Sequence, residues 1–465
     1  MSARRMLVFP GTYRDSLLLL SATRVMEDGT GVSWASAAMA TPAAVQDLTA
    51  RGFPPAGLAG ADANALVLAV SAADDPAAGD ALERGREAVF APSAAPREEP
   101  GRAAPRTIAE ATGRLPEANV AVVSVPGPYA ALAAHSALSA GLHVLLFSDN
   151  VPLAEEVELK ERARRLGLLL MGPGAGTAVL AGVGLGFANA VAPGPVGVVA
   201  AAGTGAQEVM SLLDRWGIGV SQVIGASQDT PVVAACLGMS APDGLIGNAP
   251  LAATLEQGAR RAAGILGRSV PDPAGDLDGA IERAAAQLTG PRRAVRGFFT
   301  GGTLCYEAQV VLSRALGPVY SNIPLRPDLG LPAPAGAHIC LDLGEEEYTK
   351  GRPHPMIDPA ARREIIRAEA FGGDIAAVLL DVVLGYGSHP DPAGEIAGAC
   401  ADIVASGAAV VAYVLGARAD RQGLDRQRRT LQDAGAIVTA SAAEAARIAA
   451  AVAARQPALA TAEYR

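Results

Sequence analysis

Residues 119–147, NVAVVSVPGPYAALAAHSALSAGLHVLLF, decide the fold class of this chain. The apolar run at 119–126 predicts a strand, the alanine-rich stretch 129–140 predicts a helix, and 143–147 predicts a second strand. A helix at 154–166 and a strand at 168–171 continue the pattern. Continuous apolar strands that alternate with helices are typical of a parallel sheet covered on both faces. The sequence therefore predicts a βαβαβ unit.

The same alternation extends in both directions and predicts an α/β fold throughout. We expect a small N-terminal α/β domain at 1–92 and three further domains at 105–192, 193–292 and 293–465. Proline, small residues and charge at 91–106 are typical of a linker between the first two. The remaining predicted strands are 6–9, 31–38, 65–71, 196–200, 220–225, 295–299, 338–343, 377–384 and 408–414. The remaining predicted helices are 15–26, 42–51, 76–90, 206–216, 250–266, 278–288 and 441–454.

The net charge of the chain argues against partners with a negatively charged surface. The chain has 465 residues, of which 50% are hydrophobic and 18% charged, and its formal net charge is -9 at pH 7. Nucleic-acid phosphates and acidic membranes attract clustered positive charge. The arginine pairs, such as Arg362 and Arg363, are interpreted as solvated helix faces. We therefore expect a small-molecule substrate and neither a nucleic acid nor a membrane as partner.

Two further observations concern the cellular compartment. Residues 166–207 carry no charge, but their closely spaced prolines and glycines would break a membrane-spanning helix, so we expect buried strands and turns there. The four cysteines are widely spaced without a CxxC motif, which predicts no metal site. Without an apolar signal-peptide core at the N-terminus, the sequence predicts a cytoplasmic protein.

Two glycine–threonine turns are candidate anion sites. Each follows an apolar strand and opens a helix within a shared G-T-x-x-x-E pattern, at 203–208 and 302–307. Backbone N–H groups at a helix start, aided by the helix dipole, attract phosphate or carboxylate. The alternative is that glycine permits a tight turn and threonine caps the helix. The candidate binding residues are Gly203, Thr204, Gly205, Gly301, Gly302 and Thr303. Neither turn is a Walker loop, so the sequence does not predict a conventional P-loop ATPase.

A glycine-rich loop at 172–177 is a third candidate. Gly172, Gly174 and Gly176 would let the backbone lie against an extended cofactor such as CoA, or they form a sharp turn between buried strands.

Polar loops after two predicted strands supply the candidate catalytic residues. Residues 342–358 place Arg352, His354 and Asp358 together, with proline on both sides of His354. Residues 381–391 place His389 in the next such loop. Loops after parallel strands face the ligand side of such sheets; the alternative is that both histidines are structural. Cys305, in the first turn of a helix, is a weaker candidate nucleophile whose thiol pKa the dipole would lower.

Several longer motifs resemble the FdrA family, which is similar to the succinyl-CoA synthetase α subunit and other NDP-forming acyl-CoA synthetases. They are VAVVSVPGPYAALAAHSAL (120–138), GVVAAAGTGAQEV (197–209), FTGGTLCYEA (299–308), GRPHPMIDP (351–359) and LLDVVLGYGSHPDPA (379–393). The resemblance implies a Rossmann-like CoA-binding-type domain at 105–192, followed by flavodoxin-like CoA-ligase-type domains.

The resemblance also implies a function. FdrA-type proteins are linked to oxamate carbamoyl transfer, which implies a subunit of a carbamoyl- or acyl-transferase that acts on phosphate-activated small molecules. The ligands would be CoA, carbamoyl phosphate or phosphate, and the chain would belong to an oligomer with partner subunits. Two alternatives are an NDP-forming acyl-CoA synthetase and a non-catalytic scaffold. The synthetases carry a histidine in a G-H-A-G context that this sequence lacks, and family residues are replaced at Gly174, Ala175, Ala202 and 226–229.

Overall fold

The computed structural model describes residues 3–12, 16–40, 44–45, 48–49, 51–58, 65–90, 105–223, 233–239, 245–246, 249–271, 277–288, 290–349 and 353–460. The chain forms two compact units. The first comprises Met1–Ala104 and Glu345–His354, and the second comprises Pro105–Gly344 and Pro355–Arg465. The predicted domains at 105–192, 193–292 and 293–465 fall almost wholly in the second unit, and their limits stay predictions.

The first unit contains a three-stranded antiparallel sheet. Its strands are β1 (Ala3–Phe9), β2 (Val32–Met39) and β3 (Leu66–Ala72), in the order β1-β3-β2. Helices α1 (Ser16–Glu27) and α2 (Asp75–Phe90) pack on one face. The predicted strands are confirmed, but the expectation of parallel pairing is wrong here, because β3 runs between two strands of opposite direction. The helix predicted at 42–51 lies largely outside the described residues.

The second unit begins with the predicted βαβαβ arrangement. After α3 (Ile108–Arg114), its elements are β4 (Val120–Val123), α4 (Gly127–Ser139), β5 (His143–Leu146), α5 (Leu153–Leu166) and β6 (Leu170–Met171). The strands are parallel in the order β4-β5-β6, which confirms the prediction.

An antiparallel hairpin follows that the sequence analysis did not resolve. It joins β7 (Thr177–Leu180) to β8 (Val183–Gly186). The linking residues Ala181 and Gly182 have φ values of 48° and 80°. Positive φ at both positions gives the tight turn that suits the strand twist. Its sequence lacks the usual Asn-Gly or Asp-Gly signal.

A second parallel pair and a small sheet lead to the last region. The elements are β9 (Pro193–Val198), α6 (Gly203–Arg215), β10 (Val220–Val223), β11 (Ala234–Ala235), β12 (Leu245–Ile246), β13 (Ala249–Ala252), α7 (Leu255–Ile265) and α8 (Asp278–Gln287). The helix predicted at 250–266 instead begins as strand β13. Thr254 stops that strand, because its side chain accepts the N–H of Gln257 and caps α7.

The last region is a six-stranded parallel sheet with helices between its strands. Its elements are β14 (Ala294–Phe299), α9 (Gly302–Leu316), β15 (Val319–Ser321), β16 (His338–Asp342), α10 (Glu346–Thr349, part of the first unit), α11 (Ala360–Glu369), β17 (Ile375–Val383), α12 (Pro392–Ala405), β18 (Ala409–Leu415), α13 (Leu424–Asp433), β19 (Ile437–Thr439) and α14 (Ala442–Ala454). Every residue of β17 and β18 is buried.

The strand order β15-β16-β14-β17-β18-β19 creates a crevice. The chain leaves β14 toward β15 and β16 on one side, and later builds β17 to β19 on the other. Ligands of open parallel sheets bind where the order reverses, at the carboxyl ends of the strands. Here that place is the end of β14, where α9 begins. The expected α/β fold with parallel sheets is confirmed, and the described part of the chain contains no helix long and apolar enough to cross a membrane.

Candidate functional site

The two glycine–threonine turns open helices α6 and α9. The residues before them, Ala202 and Gly301, have extended backbones and cap neither helix through a side chain. Within the described residues, no group accepts a hydrogen bond from the N–H groups of 203–205 or 302–304. Since the first turn of a helix has no partners for its own N–H groups, both helices present donors to whatever lies in front of them.

The two helix starts lie against each other. A Cβ atom on Gly205 would be 3.1 Å from Cγ2 of Thr303, and one on Gly301 would be 2.9 Å from Cγ2 of Thr204. Glycine at these two positions therefore permits the close approach. We call residues 203–205 and 301–303 the paired helix starts. The structure brings together two candidate sites that are far apart in the sequence.

Two carboxylates of the described residues lie at the α9 start. The buried Asp381 of β17 accepts the N–H groups of Thr300 and Gly301, each at 2.9 Å. The carboxylate of Asp342 lies so close to Gly302 that a Cβ there would be 2.5 Å from Oδ2. The α9 start is thus partly neutralised by the protein itself, whereas the donors of the α6 start have no such carboxylate among the described residues.

Asp381 is paired with a buried arginine, Arg362 of α11. Arg362 lies 3.0 Å from Asp381, and both side chains are almost fully buried, at 4% and 2% exposure. The expectation that Arg362 lies on a solvated helix face is wrong for this residue. Its neighbour Arg363 is half-buried and pairs with Glu395. No local pattern distinguished the two arginines, because the partner of Arg362 comes from a distant strand.

The glycine loop at 172–177 borders the α6 start. A Cβ on Gly203 would be 3.3 Å from Oγ1 of Thr177. Gly172 packs against the carbonyl oxygen of Leu146, where a side chain would not fit. The carbonyl oxygen of Gly176 lies against the backbone of Gly186. These contacts agree with the alternative of a sharp turn. Gly174 has φ +68° and no neighbour within 4 Å of an added Cβ, so its surroundings leave the cofactor interpretation open.

The predicted catalytic residues of the 342–358 loop do not all belong to the same unit. Arg352 lies outside the described residues. His354 belongs to the first unit, and burial lowers its pKa to about 4, so the imidazole is neutral at pH 7. Asp358 belongs to the second unit, where its carboxylate accepts the N–H of Ala360 at the start of α11. Their catalytic roles stay predictions.

His389 is buried in the loop after β17. Its Nδ1 accepts the N–H of Asp391 at 3.1 Å, and its own N–H donates to the carbonyl oxygen of Met356 at 2.7 Å. Acceptance at Nδ1 places the ring proton on Nε2. The rings of His135, His143 and His338 also hold hydrogen bonds with neighbouring residues. A structural role therefore accounts for these rings, and catalysis by His389 stays a prediction.

Cys305 is not an activated thiol. It is fully buried, and burial raises its pKa well above the usual range, with smaller contributions from Cys340 and Asp342. The expectation that the dipole of α9 lowers this pKa is wrong, because removal from water outweighs the dipole.

A cleft of about 430 Å³ lies beside the hairpin β7–β8. Its lining includes Val179, Asp214, Tyr386 and Arg418 but none of the paired helix starts. No cluster of three or more His, Cys, Asp or Glu able to hold a metal occurs in the described ranges.

Two family models match the chain. The CoA-ligase model matches residues 298–452, which include α9 and the six-stranded sheet apart from the first four residues of β14. The model of the AllF heavy metal-associated domain matches residues 1–105. That segment contains neither cysteine nor histidine. Because heavy-metal sites are built mainly from thiolates and imidazoles, its side chains do not fit such a site.

Similar proteins include one full-length relative. The uncharacterized protein YahF of Escherichia coli is 32% identical over 500 residues, covering 94% of this chain and 96% of that protein. The succinate–CoA ligase [ADP-forming] subunit alpha 2 of Archaeoglobus fulgidus is 31% identical over 120 residues, covering 25% of this chain and 42% of that subunit. This supports the resemblance to succinyl-CoA synthetase α subunits, while the FdrA assignment stays a prediction.

Among solved structures, the dinucleotide-forming acetyl-coenzyme A synthetase 1 of Ca. Korarchaeum cryptofilum, in complex with phosphate and ADP, is 15% identical. The similarity covers 79% of this chain and 89% of that one, with a TM-score of 0.26. PH0766 of Pyrococcus horikoshii is 14% identical, with a TM-score of 0.25, over 78% of this chain and 89% of that one. Similarity at this level carries no argument about the site.

Proposed function

Because the chain belongs to the acyl-CoA synthetase-like family that includes Escherichia coli YahF, we propose that it handles a phosphate-activated carboxylic acid in an acid–CoA ligase-like reaction. The phosphoryl group lies at the paired helix starts. This proposal takes up the second of the functions that the sequence suggests.

The contact between the two helix starts is the observation that carries the proposal. Each helix N-terminus carries about half a positive elementary charge, concentrated on its unpaired N–H groups. Gly205 and Thr303 bring two such ends into contact, as do Gly301 and Thr204. Like partial charges placed together repel unless an anion lies between them. A phosphate would accept several of these N–H groups at once.

The chemistry follows from what an acyl phosphate needs. A CoA thiolate attacks the acyl carbon, the bond between that carbon and the phosphate oxygen breaks, and inorganic phosphate leaves with the electron pair. Donors already in place around the leaving phosphate stabilise the charge that it gains. The paired helix starts would supply these donors from Gly203, Thr204 and Gly205. The glycine loop, with Gly174, borders this place and is our candidate for contact with CoA.

Carbamoyl transfer, the first expectation from the FdrA resemblance, is not supported by the comparisons. Carbamoyl phosphate is itself an acyl phosphate and would use the same donors, so the acceptor distinguishes the two reactions. The similarity to succinate–CoA ligase α subunits supports CoA as acceptor. It also supports a partner subunit, since those relatives are named as subunits of a larger enzyme.

Binding of inorganic phosphate tests the site directly. Thr204→Asp places a carboxylate at the start of α6, where it competes with a bound anion, so we expect phosphate affinity to fall at least about tenfold, equivalent to about 1.4 kcal/mol. Thr107→Asp is the matched control, because Thr107 caps the exposed helix α3 through its side chain. Isothermal titration calorimetry and ³¹P NMR line widths report the binding.

Two results would contradict the proposal. One is phosphate affinity that stays the same in Thr204→Asp. The other is a chain that, with its co-purified subunits, forms no acyl-CoA from acyl phosphate and CoA. Turnover of carbamoyl phosphate with an amide acceptor in the same assay would favour carbamoyl transfer, and absence of both reactions would favour the scaffold alternative.

A further inference from the structure

The interior behind the paired helix starts holds a cluster of acidic side chains. Glu208 and Glu307, the last residues of the two G-T-x-x-x-E repeats, are both 0% exposed. Each lies four residues after the threonine of its turn, so it shares a helix face with that threonine. Glu256 and Glu444, from α7 and α14, are 4% and 1% exposed and complete the cluster.

Glu208 is hydrogen-bonded but remains poorly suited to carry charge. Its Oε2 accepts the hydroxyl of Tyr413 from β18, and its Oε1 accepts the N–H of Ala442 at 3.3 Å. Burial raises the pKa of Glu208 to about 7, although Arg215 and these hydrogen bonds oppose the shift.

Glu307 has fewer partners. Its Oε1 accepts the N–H of Leu255 at 2.7 Å, while its buried Oε2 has no hydrogen-bond partner among the described residues. Burial and the nearby Glu208 raise the pKa of Glu307 to about 8. A protonated carboxyl can be buried at much lower cost than an ionised one.

Neighbouring arginines hydrogen-bond to other side chains of the described interior and not to Glu208 or Glu307. The four carboxyl groups face the guanidinium groups of Arg215 of α6, Arg260 of α7, Arg428 of α13 and Arg447 of α14. Arg260 and Arg447 both bond to Glu256, at 2.9 and 3.1 Å, and the charge of Arg447 only opposes the rise in the pKa of Glu307. Arg215 bonds to Tyr413, and its charged neighbours are Glu208, Asp214 and Arg428. Among the described residues, neither Glu208 nor Glu307 accepts a hydrogen bond from a guanidinium group.

We infer that Glu208 and Glu307 form a proton-holding pair that positions α6 against α9. The proton lets the two helices pack closely enough for their starts to meet. Its loss leaves two buried, mutually repelling carboxylates one helical turn after Thr204 and Thr303, and repulsion separates the helices. The effect on the anion site rests on the proposed function, whereas the proton-holding pair itself does not.

The direction of the pH effect follows from linkage. In the unfolded chain a glutamate has a pKa near 4.5, so between that value and about 8 the folded state holds protons that the unfolded state has released. Stability therefore falls as pH rises through this window. For each proton held, the unfolding equilibrium constant rises about tenfold per pH unit.

Unfolding in urea between pH 6 and 8.5 tests the pair. Trp216 follows Arg215 at the end of α6 and reports on that helix, and Trp34 is replaced by Phe in every variant so that Trp216 is the sole tryptophan. Glu307→Gln mimics the protonated acid at every pH. The change of about tenfold in the unfolding equilibrium constant per pH unit that one held proton causes should therefore be absent from this variant. Glu395→Gln is the control, because Glu395 of α12 pairs with Arg363 and is not among the charges that act on Glu208 or Glu307: it should not change the slope.

A second measurement separates this inference from the proposed function. Sulfate keeps its charge over this pH range, and the parent protein should bind it more weakly as pH rises, whereas Glu307→Gln should not. If sulfate binds to neither protein but the unfolding slope still differs, the proton-holding pair stands and the anion site fails. An unchanged slope in both Glu307→Gln and Glu208→Gln would overturn the inference.

Discussion

At the scale of single residues, Asp381 and Arg362 set the position of the α9 start. Asp381 accepts backbone N–H groups from the turn before α9 and is paired with a buried guanidinium. A buried ion pair is weak evidence of net stability, but removal of one partner leaves the other charge buried and uncompensated. The geometry of the turn therefore depends on both side chains.

Replacement of Asp381 should be severely destabilising. Asp381→Asn leaves Arg362 uncompensated, and we expect the free energy of unfolding to fall by about 3–5 kcal/mol. Asp328→Asn breaks an ion pair whose two side chains are 64% and 65% exposed, and it should cost less than about 1 kcal/mol. Urea unfolding measures both. Equal effects of the two variants would refute the structural role of Asp381.

Cys305 offers a second test at this scale. Its thiol is buried and its pKa is raised, whereas Cys236 is only half-buried. We expect iodoacetamide to modify Cys236 first and to leave Cys305 unmodified until the protein is unfolded, because the thiolate is the reactive form. Mass spectrometry of labelled peptides identifies the order. Rapid labelling of Cys305 in the native protein would contradict its buried placement.

At the scale of elements, the contact between α6 and α9 depends on glycine. With a larger residue at position 301, the helix starts could not approach each other this closely, since even a Cβ there would lie 2.9 Å from Thr204. Each helix start was predictable from its own strand–turn–helix pattern. Their meeting was not, because it depends on how β9 and β14 are placed by the rest of the sheet.

Gly301→Val should separate the two elements. We expect weaker phosphate binding and a free energy of unfolding lowered by about 1–3 kcal/mol, the usual cost of overpacking. Gly264→Ala is the control, because this exposed position in α7 has nothing within 4 Å of an added Cβ; it should be neutral or stabilise by up to about 1 kcal/mol. Calorimetry with phosphate and urea unfolding distinguish the two. If both variants behave alike, close approach at 301 does not matter.

At the scale of the whole molecule, the second unit builds one candidate site from two similar segments. The G-T-x-x-x-E repeats lie on α6 and α9, in different predicted domains, and their threonines and glycines meet in one place. Their glutamates meet α7, α14 and β18 in one interior. Binding and protonation are therefore properties of the assembled unit, and neither segment could supply them alone.

The sequence by itself determined what depends on near neighbours. The βαβαβ unit at 119–171 and the four inner strands of the six-stranded sheet follow from apolar runs and helical periodicity, and the two helix starts follow from glycine and threonine after a strand. The short edge strands β15 and β19 were not predicted. The hairpin β7–β8 and the capped start of α7 also depend on near neighbours, but their signals are short and were missed. Only the tertiary structure decided that Arg362 is buried, that Asp381 holds the turn before α9, and that Glu208 and Glu307 share an interior. Burial, ion pairing and pKa are set by groups that are distant in sequence, which no local pattern records.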